Sequence, residues 1–181
     1  MIVGIAGAGG IGSNVARHLV QAGIGRIRVV DFDRVEVSNL NRQFYRADQA
    51  GLSKVACLKK NLEGINPGVR VEAVERRLGP GDFLEVFKGC GIVVEGFDNA
   101  AAKKNLVEAF GRTGIPMVCA SGIAGRDMDG IRSRRLGRLV IVGDFATDVA
   151  DADLFPPKIA VIAAMMAGIV LDEIDRIGGN I

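Results

Sequence analysis

Several residue types are scarce in this chain of 181 residues, and each scarcity narrows the possible structures and activities. Tryptophan is absent and aromatic residues make up only 5% of the sequence, so the core must be aliphatic. The single histidine, His18, falls within a predicted helix and away from the expected ligand edge, and we interpret it as a surface or packing residue. A catalytic set built around histidine is therefore not predicted.

Cysteine is also sparse. Cys57, Cys90 and Cys119 are widely spaced and form no Cys-x-x-Cys pair, so we expect no zinc site. An odd and small number of cysteines fits a reducing cytoplasm, and we expect all three to be ordinary buried residues. No basic region precedes the first apolar residues, so no signal peptide is predicted and a cytoplasmic protein is expected.

The charge balance argues against some partners. With 23 basic and 21 acidic residues the net charge is +2, which predicts neither a nucleic-acid binder nor a membrane-surface protein. A basic cluster in the last third of the sequence could bind an acidic carrier or RNA. A solvent-exposed face of a hairpin explains the cluster equally well. Its members are Arg126, Arg132, Arg134, Arg135 and Arg138.

The longest apolar stretch, residues 159–171, is too short to span a bilayer and indicates a buried helix. Its apolar stripe indicates either core or a dimer interface. The stripe consists of Ile159, Ile162, Met166, Ile169 and Ile174.

Short apolar strands alternate with amphipathic helices up to residue 120, which predicts a doubly wound, Rossmann-like α/β fold. The sheet should be mostly parallel, with helices on both faces. The predicted strands are 2–6, 27–30, 69–74, 91–94 and 116–120, and the predicted helices are 11–21, 53–65, 80–88 and 100–112. An antiparallel hairpin at 131–135 and 138–142 and a final apolar helix to about residue 177 complete one domain, 1–181.

A glycine loop lies between the first strand and the first helix. Gly7 permits a tight turn, Gly9 lets the backbone approach a phosphate, and Gly12 lets the helix pack on the strand. The helix N-terminus offers free N–H groups and partial positive charge to an anion. Asp31, at the end of the second strand, can accept hydrogen bonds from ribose hydroxyls, which suits NAD and ATP equally.

The segment 32–49 is long for a connection within a domain, and this length indicates a functional loop. Arg42 can form a two-pronged contact with a phosphate, and Lys54 supplies a point charge near a helix start. Together with Asn39 and Gln43 they predict a second phosphate clamp, which a triphosphate needs and a dinucleotide does not. Asp33 is less specific, since a solvated loop aspartate explains it as well.

Asp98 and Asn99 close the fourth strand. An unpaired carboxylate facing phosphates would repel them, so we expect a bridging Mg²⁺ at Asp98. The alternative is that Asp98 or Asn99 caps the following helix, and either residue could serve both purposes.

These motifs resemble the ThiF/MoeB/HesA group, the prokaryotic relatives of ubiquitin-activating enzymes, and are most similar to the short form of ThiF. The resemblance is strongest over residues 1 to about 100 and weaker beyond. Its motifs are GAGGIGSN, VVDFDRVEVSNLNRQFY, GLSKV, INP and EGFDN, followed by ASGIAG, RSRRLGRLVIVGDF and PPKIAVIAA.

The resemblance implies an adenylyltransferase that uses ATP and Mg²⁺ to activate the C-terminal glycine carboxylate of a small sulfur carrier of the ThiS type, in thiamine biosynthesis. It also implies a homodimer. The implied phosphate cradle is Gly7, Gly9, Gly10 and Gly12. Asp31 would hold the ribose, with Asp33 beside it. Asn39, Arg42, Gln43 and Lys54 would bind the triphosphate, and Asp98 would serve Mg²⁺ and orient the reacting carboxylate.

The implied chemistry agrees with these residue types. A carboxylate is already ionised at neutral pH, so its attack needs no general base. Positioning and cationic stabilisation of the departing pyrophosphate are the main requirements, and they assign catalytic roles to Asn39, Arg42, Lys54 and Asp98.

Three other functions stay open. The chain could activate another carboxylate, such as one on a modified tRNA base. It could be an ATP-binding scaffold without catalysis. It could be an NAD-dependent oxidoreductase, which is supported only by the glycine loop and Asp31.

Overall fold

The computed structural model describes residues 1–178, in which seven strands form one sheet with the order β3-β2-β1-β4-β5-β7-β6. The strands are β1 Val3–Ala6, β2 Arg26–Asp31, β3 Arg70–Glu75, β4 Ile92–Glu95, β5 Met117–Ala120, β6 Arg132–Leu136 and β7 Leu139–Gly143. The helices are α1 Gly10–Gln21, α2 Lys54–Ile65, α3 Phe83–Val86, α4 Ala100–Phe110 and α5 Pro156–Arg176. The predicted Rossmann-like class is confirmed.

Strand β1 lies inside the sheet and pairs in parallel with β2 and β4. The remaining pairs are also parallel, except that β6 runs antiparallel to β7. Gly137, with φ of +61°, makes the turn between them, which confirms the predicted hairpin. The chain leaves β1 and β4 in opposite directions across the sheet, and this arrangement opens a crevice at their carboxyl ends.

Apolar side chains pack on both faces of the sheet because successive strand residues point to opposite sides. Helices α1, α2 and α5 cover one face, and α3 and α4 cover the other. The predicted apolar stripe of α5 belongs to the first of these cores: Ile159, Ile162 and Met166 are at most 1% exposed. Ile169 is partly buried against the same cluster, so the stripe forms core rather than a dimer surface.

Two segments differ from the predictions. The helix expected at 80–88 is only Phe83–Val86, because the Asp82 carboxylate accepts the Gly79 N–H at 2.7 Å and holds the preceding residues in a turn. The long loop contains short 3₁₀ turns at Val37–Asn39 and Ala47–Gln49. Over residues 1–178, no helix has the length and apolar character needed to cross a membrane.

Cys57, Cys90 and Cys119 are all buried, and burial raises the pKa of each thiol. His18 lies near the end of α1, outside the pocket described below. All five residues of β6 are exposed, which places most of the basic cluster on an edge strand. Arg135 is the member that pairs with an acidic side chain of α5, Glu173, at 2.5 Å.

Candidate functional site

A pocket of about 530 Å³ opens at the carboxyl edge of the sheet, where β1, β2 and β4 end. This is the edge at which open α/β sheets bind ligands. Predicted site residues from five separate stretches of the chain come together there. They are Gly7, Gly9, Gly10, Asp31, Asp33, Arg42, Gln43, Lys54 and Asp98. Gly12 and Asn39 are the predicted residues that do not line it.

The glycine loop has the geometry that its sequence predicts. Gly7 has a φ of +95°, and a Cβ there would lie 2.7 Å from the carbonyl oxygen of Gly96. A Cβ at Gly12 would lie 1.9 Å from the carbonyl oxygen of Gly7, so Gly12 lets the helix pack closely on the loop. Its contact with a phosphate stays a prediction. Helix α1 starts at Gly10 without an acidic residue in its first turn, which leaves its N-terminal N–H groups facing the pocket.

Asp31 fixes the glycine loop to the second strand. Its Oδ2 accepts the Ala8 N–H at 2.6 Å, and its Oδ1 accepts the Asp33 N–H at 2.8 Å. The hydroxyl of the buried Tyr45 donates to the Ala8 carbonyl at 2.7 Å, so both polar backbone groups of Ala8 are held. Each carboxylate oxygen of Asp31 keeps a lone pair that could accept a ribose hydroxyl.

Lys54 and Asp33 form an ion pair inside the pocket. The distance between Lys54 Nζ and Asp33 Oδ2 is 3.0 Å, and the side chains are 8% and 41% exposed. Asp33 is therefore the counter-ion of a nearly buried lysine rather than a loop aspartate with only solvent around it. A phosphate entering the pocket could take the place of this carboxylate as the partner of Lys54.

Arg42 and Gln43 carry unsatisfied polar atoms at the pocket. Arg42 Nη1 donates to the Ser38 carbonyl and to Asn41 Oδ1, each at 2.9 Å. Its Nε, together with Gln43 Oε1, is buried and has no hydrogen-bond partner among residues 1–178. An unmade hydrogen bond of this kind costs about 1–3 kcal/mol, so the arrangement fits residues that complete their bonding with a ligand.

Asn39 shapes the turn that carries these two side chains. Its Oδ1 accepts the Glu36 N–H at 3.3 Å, and its backbone carbonyl accepts the N–H groups of Arg42 and Gln43 at 3.2 and 3.0 Å. The side chain is buried in this turn, outside the pocket lining. Its direct contact with a triphosphate stays a prediction.

Asp98 and Asn99, in the turn between β4 and α4, occupy different environments. Asn99 caps α4, because its Oδ1 accepts the Ala102 N–H at 2.8 Å. Asp98 lines the pocket and has no ion-pair partner within the described part of the chain. Mg²⁺ commonly takes one or two protein carboxylates plus phosphate oxygens. Residues 1–178 contain no cluster of three or more His, Cys, Asp or Glu that could hold a metal ion. A Mg²⁺ at Asp98 stays a prediction.

Sequence reasoning missed the polar residues that join α1 to the phosphate-clamp loop. Ser13 Oγ donates to the Gly9 carbonyl at 2.6 Å and accepts the Phe44 N–H at 3.1 Å. Asn14 Nδ2 donates to the carbonyls of Gly10 and Arg42. Ser13 and Asn14 are buried although they are polar, and two adjacent polar residues directly after the glycine loop were the available signal.

It also missed an ion pair near Asp98, in which a buried glutamate meets a partly exposed lysine. Glu95, the last residue of β4, is fully buried, with its carboxylate 2.5 Å from Lys103 Nζ and 2.7 Å from the Phe97 N–H. Lys103 also donates to the Ala120 carbonyl at 2.6 Å. Burial raises the pKa of Glu95, whereas Lys103 opposes that rise. The pair ties the ends of β4 and β5 to α4 and so fixes the segment that presents Asp98.

A Rossmann-like sheet, a glycine loop at a helix N-terminus and convergent basic side chains define a phosphate-binding type of α/β protein. The ThiF family profile matches residues 1–178, and the chain belongs to the ThiF family.

Curated relatives match part of the chain. A sulfur carrier protein adenylyltransferase of Thermus thermophilus is 42% identical over 115 residues, which are 63% of this chain and 42% of that protein. The adenylyltransferase and sulfurtransferase MOCS3 of Dictyostelium discoideum is 38% identical over 120 residues, 66% of this chain and 28% of that protein. The chain thus matches less than half the length of either relative.

Among solved structures, the E. coli tRNA N6-threonylcarbamoyladenosine dehydratase TcdA, in complex with ATP, superposes with a TM-score of 0.82 and 24% identity. The match covers 97% of this chain and 87% of that one. At this level of identity the likeness establishes the fold.

Proposed function

We propose that this protein is an ATP-dependent adenylyltransferase that activates the C-terminal glycine carboxylate of a small ThiS-type sulfur carrier. The products would be the carrier acyl-adenylate and pyrophosphate, in a reaction that belongs to thiamine biosynthesis. Family membership supports the activity, and the Thermus relative's name supports the substrate class. A homodimer in the cytoplasm is part of the same proposal.

The observation that carries this proposal is the second basic group beyond the glycine loop. Arg42 Nε is buried without a partner among the described residues, and Lys54 lies in the same pocket with only a half-exposed aspartate as counter-ion. A pyrophosphate of a dinucleotide is already served by the glycine loop and the α1 N-terminus. The additional positive charges of Arg42 and Lys54 could bind the β- and γ-phosphates of ATP.

Arg42, Lys54 and Asp98 have different roles in the proposed adenylyl transfer. The carboxylate of the carrier attacks the α-phosphorus, a new C–O–P linkage forms, and the bond to the β-phosphate oxygen breaks to release pyrophosphate. Arg42 and Lys54 stabilise the charge that develops on the leaving pyrophosphate. Asp98 orients the reacting groups from the end of β4. A bound Mg²⁺ would supply further neutralisation of phosphate charge.

ATP–pyrophosphate exchange tests this proposal. We expect exchange when ATP, Mg²⁺ and a ThiS-type carrier ending in Gly-Gly are all present. Arg42→Ala should reduce the rate by about 10- to 100-fold, since a hydrogen bond to a charged group contributes about 1.5–3 kcal/mol. Arg46→Ala is the matched control, because Arg46 is an exposed arginine of the same loop that pairs with Asp48 and lies outside the pocket.

Each alternative gives a different result. ATP binding without exchange for any carboxylate substrate would indicate a scaffold. Exchange that requires tRNA instead of a carrier would indicate activation of a carboxylate on a modified base. Stabilisation of the protein by NAD but not by ATP would indicate an oxidoreductase.

A further inference from the structure

A lysine is completely buried in the first turn of α5. The Lys158 side chain has an exposure of 0%, and its Nζ lies 2.7 Å from Asp144 Oδ2 and 2.6 Å from the Ala124 carbonyl oxygen. Asp144 follows β7 and Ala124 follows β5. One ammonium group therefore joins three chain segments that are distant in sequence.

Stability alone is a weak reason for a lysine at this position. Removing a charged pair from water costs several kcal/mol per ion, and apolar residues of similar volume often replace buried pairs without loss of stability. What an apolar side chain does not provide is a directed bond to the Ala124 carbonyl and to Asp144. The distinctive contribution of Lys158 is thus the relative placement of these segments.

Asp144 holds the start of the connection between β7 and α5 through hydrogen bonds to its backbone. Its carboxylate accepts the N–H groups of Ala146 and Thr147 at 2.8 and 2.9 Å, in addition to the Lys158 ammonium. Phe145 between them has a φ of +64°, which is strained for a residue with a side chain. The turn therefore depends on the Asp144 carboxylate, which Lys158 holds in place.

The joined segments carry part of the apolar lining of the pocket, here called the apolar wall, which consists of Ile123, Leu154 and Ile159. Ile123 directly precedes Ala124, and Ile159 directly follows Lys158. Leu154 follows Asp153, whose carbonyl accepts the Gly125 N–H at 2.9 Å. All three wall residues are therefore within two positions of a residue in this network.

The apolar wall lies at the far end of the pocket from the predicted ribose site. Asp31 follows β2, the glycine loop follows β1, Asp98 follows β4 and Ile123 follows β5, so the pocket follows the order of the sheet. The three wall residues offer no charge to a phosphate. Their apolar side chains could pack against an uncharged stretch of substrate main chain next to the reacting carboxylate.

The wall also reaches the phosphate end of α1. A Cβ placed on Gly10 would lie 3.3 Å from Ile159 Cγ2, so Ile159 packs directly against the start of that helix. A group resting on the wall is therefore next to the expected position of the α-phosphate. This is where an attacking carboxylate must arrive.

We propose that Lys158, acting through Asp144, is a positioning residue that holds the apolar wall against the uncharged peptide tail of the acyl substrate. This assignment rests on the proposed adenylation of a carrier. It predicts that loss of the Lys158–Asp144 pair weakens binding of the carrier. ATP affinity should stay unchanged, because ATP binds at the other end of the pocket.

The test compares two measurements on Lys158→Met. ATP affinity is measured by calorimetry, and ATP–pyrophosphate exchange is measured over a range of ThiS-type carrier concentrations. We expect the carrier concentration for half-maximal exchange to rise about tenfold or more, with ATP affinity within about twofold of the wild type. Lys158→Arg, which keeps the charge, should restore part of the loss.

Lys59→Met is the matched control, because Lys59 is an exposed lysine of α2 paired with Glu63. It should leave both constants unchanged. Leu154→Ala tests the wall itself without removing a buried charge. If Lys158→Met does not fold, Leu154→Ala shows whether the apolar wall contributes to carrier binding. It too should raise the carrier concentration needed while ATP affinity is kept.

Two results would overturn the assignment alone. In one, the wild type shows carrier-dependent exchange and the folded variants need no more carrier than it does. In the other, ATP affinity falls in parallel with carrier use, which would show a general structural effect. If the wild type binds ATP but shows no exchange with the carrier, the proposed function fails and this assignment fails with it.

Discussion

The side-chain amide of Asn14 bridges the carbonyl oxygens of Gly10 and Arg42, at 2.7 and 2.8 Å. Gly10 begins the helix whose N-terminus faces the pocket, and Arg42 carries the unsatisfied guanidinium nitrogen. One amide group therefore sets the distance between the two predicted phosphate-binding elements. Preorganisation of this kind reduces the entropic cost of ordering the site when a ligand binds.

Removal of this bridge should weaken ATP binding. We expect Asn14→Ala to lower ATP affinity by about fivefold to tenfold, since a net hydrogen bond contributes about 0.5–1.5 kcal/mol and the variant loses two. Asn66→Ala is the control, because the Asn66 side chain lies outside the pocket and accepts the Gly68 N–H within its own turn. Calorimetric titration with ATP measures the effect, and equal affinities for both variants would contradict the bridging role.

Gly12 should be intolerant of any side chain. A Cβ at this position would lie 1.9 Å from a backbone oxygen, so Gly12→Ala must displace the glycine loop or the helix and should lower the free energy of unfolding by about 3 kcal/mol or more.

A helical glycine elsewhere provides the control. Gly64→Ala meets no atom within 4 Å and should raise the free energy of unfolding by about 0.5–1 kcal/mol through helix propensity. Urea unfolding of both variants measures the contrast. A mild effect at Gly12 would show that the loop geometry is not required.

Asp98 should matter more for turnover than for nucleotide binding. We expect Asp98→Asn to slow ATP–pyrophosphate exchange by about 100-fold and to raise the Mg²⁺ concentration required, because the amide keeps the shape but loses the charge that serves the metal. ATP affinity should change much less. Asp151→Asn, at an exposed position outside the pocket, should leave the exchange rate unchanged. An unaltered Mg²⁺ requirement in Asp98→Asn would argue against a metal role.

The Asp144 carboxylate should make folding sensitive to acid. Burial raises its pKa, but hydrogen bonds from Lys158, Thr147 and Ala146 outweigh that effect and hold the pKa well below its ordinary value. A carboxyl group with a lowered pKa in the folded state contributes stability that is fully present above its unfolded pKa, about 3.9, and is lost as the pH falls below it.

Asp144→Asn should therefore be less stable than the wild type by about 3 kcal/mol near neutral pH, with the difference shrinking below about pH 4. Urea unfolding across this range measures it. Asp151→Asn, which removes an exposed carboxylate, should follow the wild type at every pH. A difference that stayed constant with pH would contradict the assignment.

The element order and most of the pocket could be predicted from the sequence because they depend on local patterns. Short apolar runs, the glycine loop and helical spacing led to β1, α1 and β2 within about one or two residues. Asp31, Arg42 and Asp98 were predicted together because parallel strands place the residues after them at the same sheet edge. The short α3 was overestimated because the Asp82 turn depends on side-chain bonding that periodicity does not encode.

The supporting residues could not be found in this way. Glu95 and Lys103 are eight positions apart, and a pairing across the end of β4 is visible only when the turn between them is known. The contact of Lys158 with Asp144 depends on how α5 returns to β7. Such bonds are set by tertiary packing, for which a single sequence has no repeating signal.

Intact-mass spectrometry of the carrier detects the acyl-adenylate that the proposed reaction forms. Protein, ATP, Mg²⁺ and a ThiS-type carrier are incubated with pyrophosphatase, beside a carrier that lacks its final glycine. We predict that the complete carrier gains the mass of one adenylyl group and that the truncated carrier does not. If the complete carrier keeps its mass although ATP is bound, the protein does not adenylate this carrier.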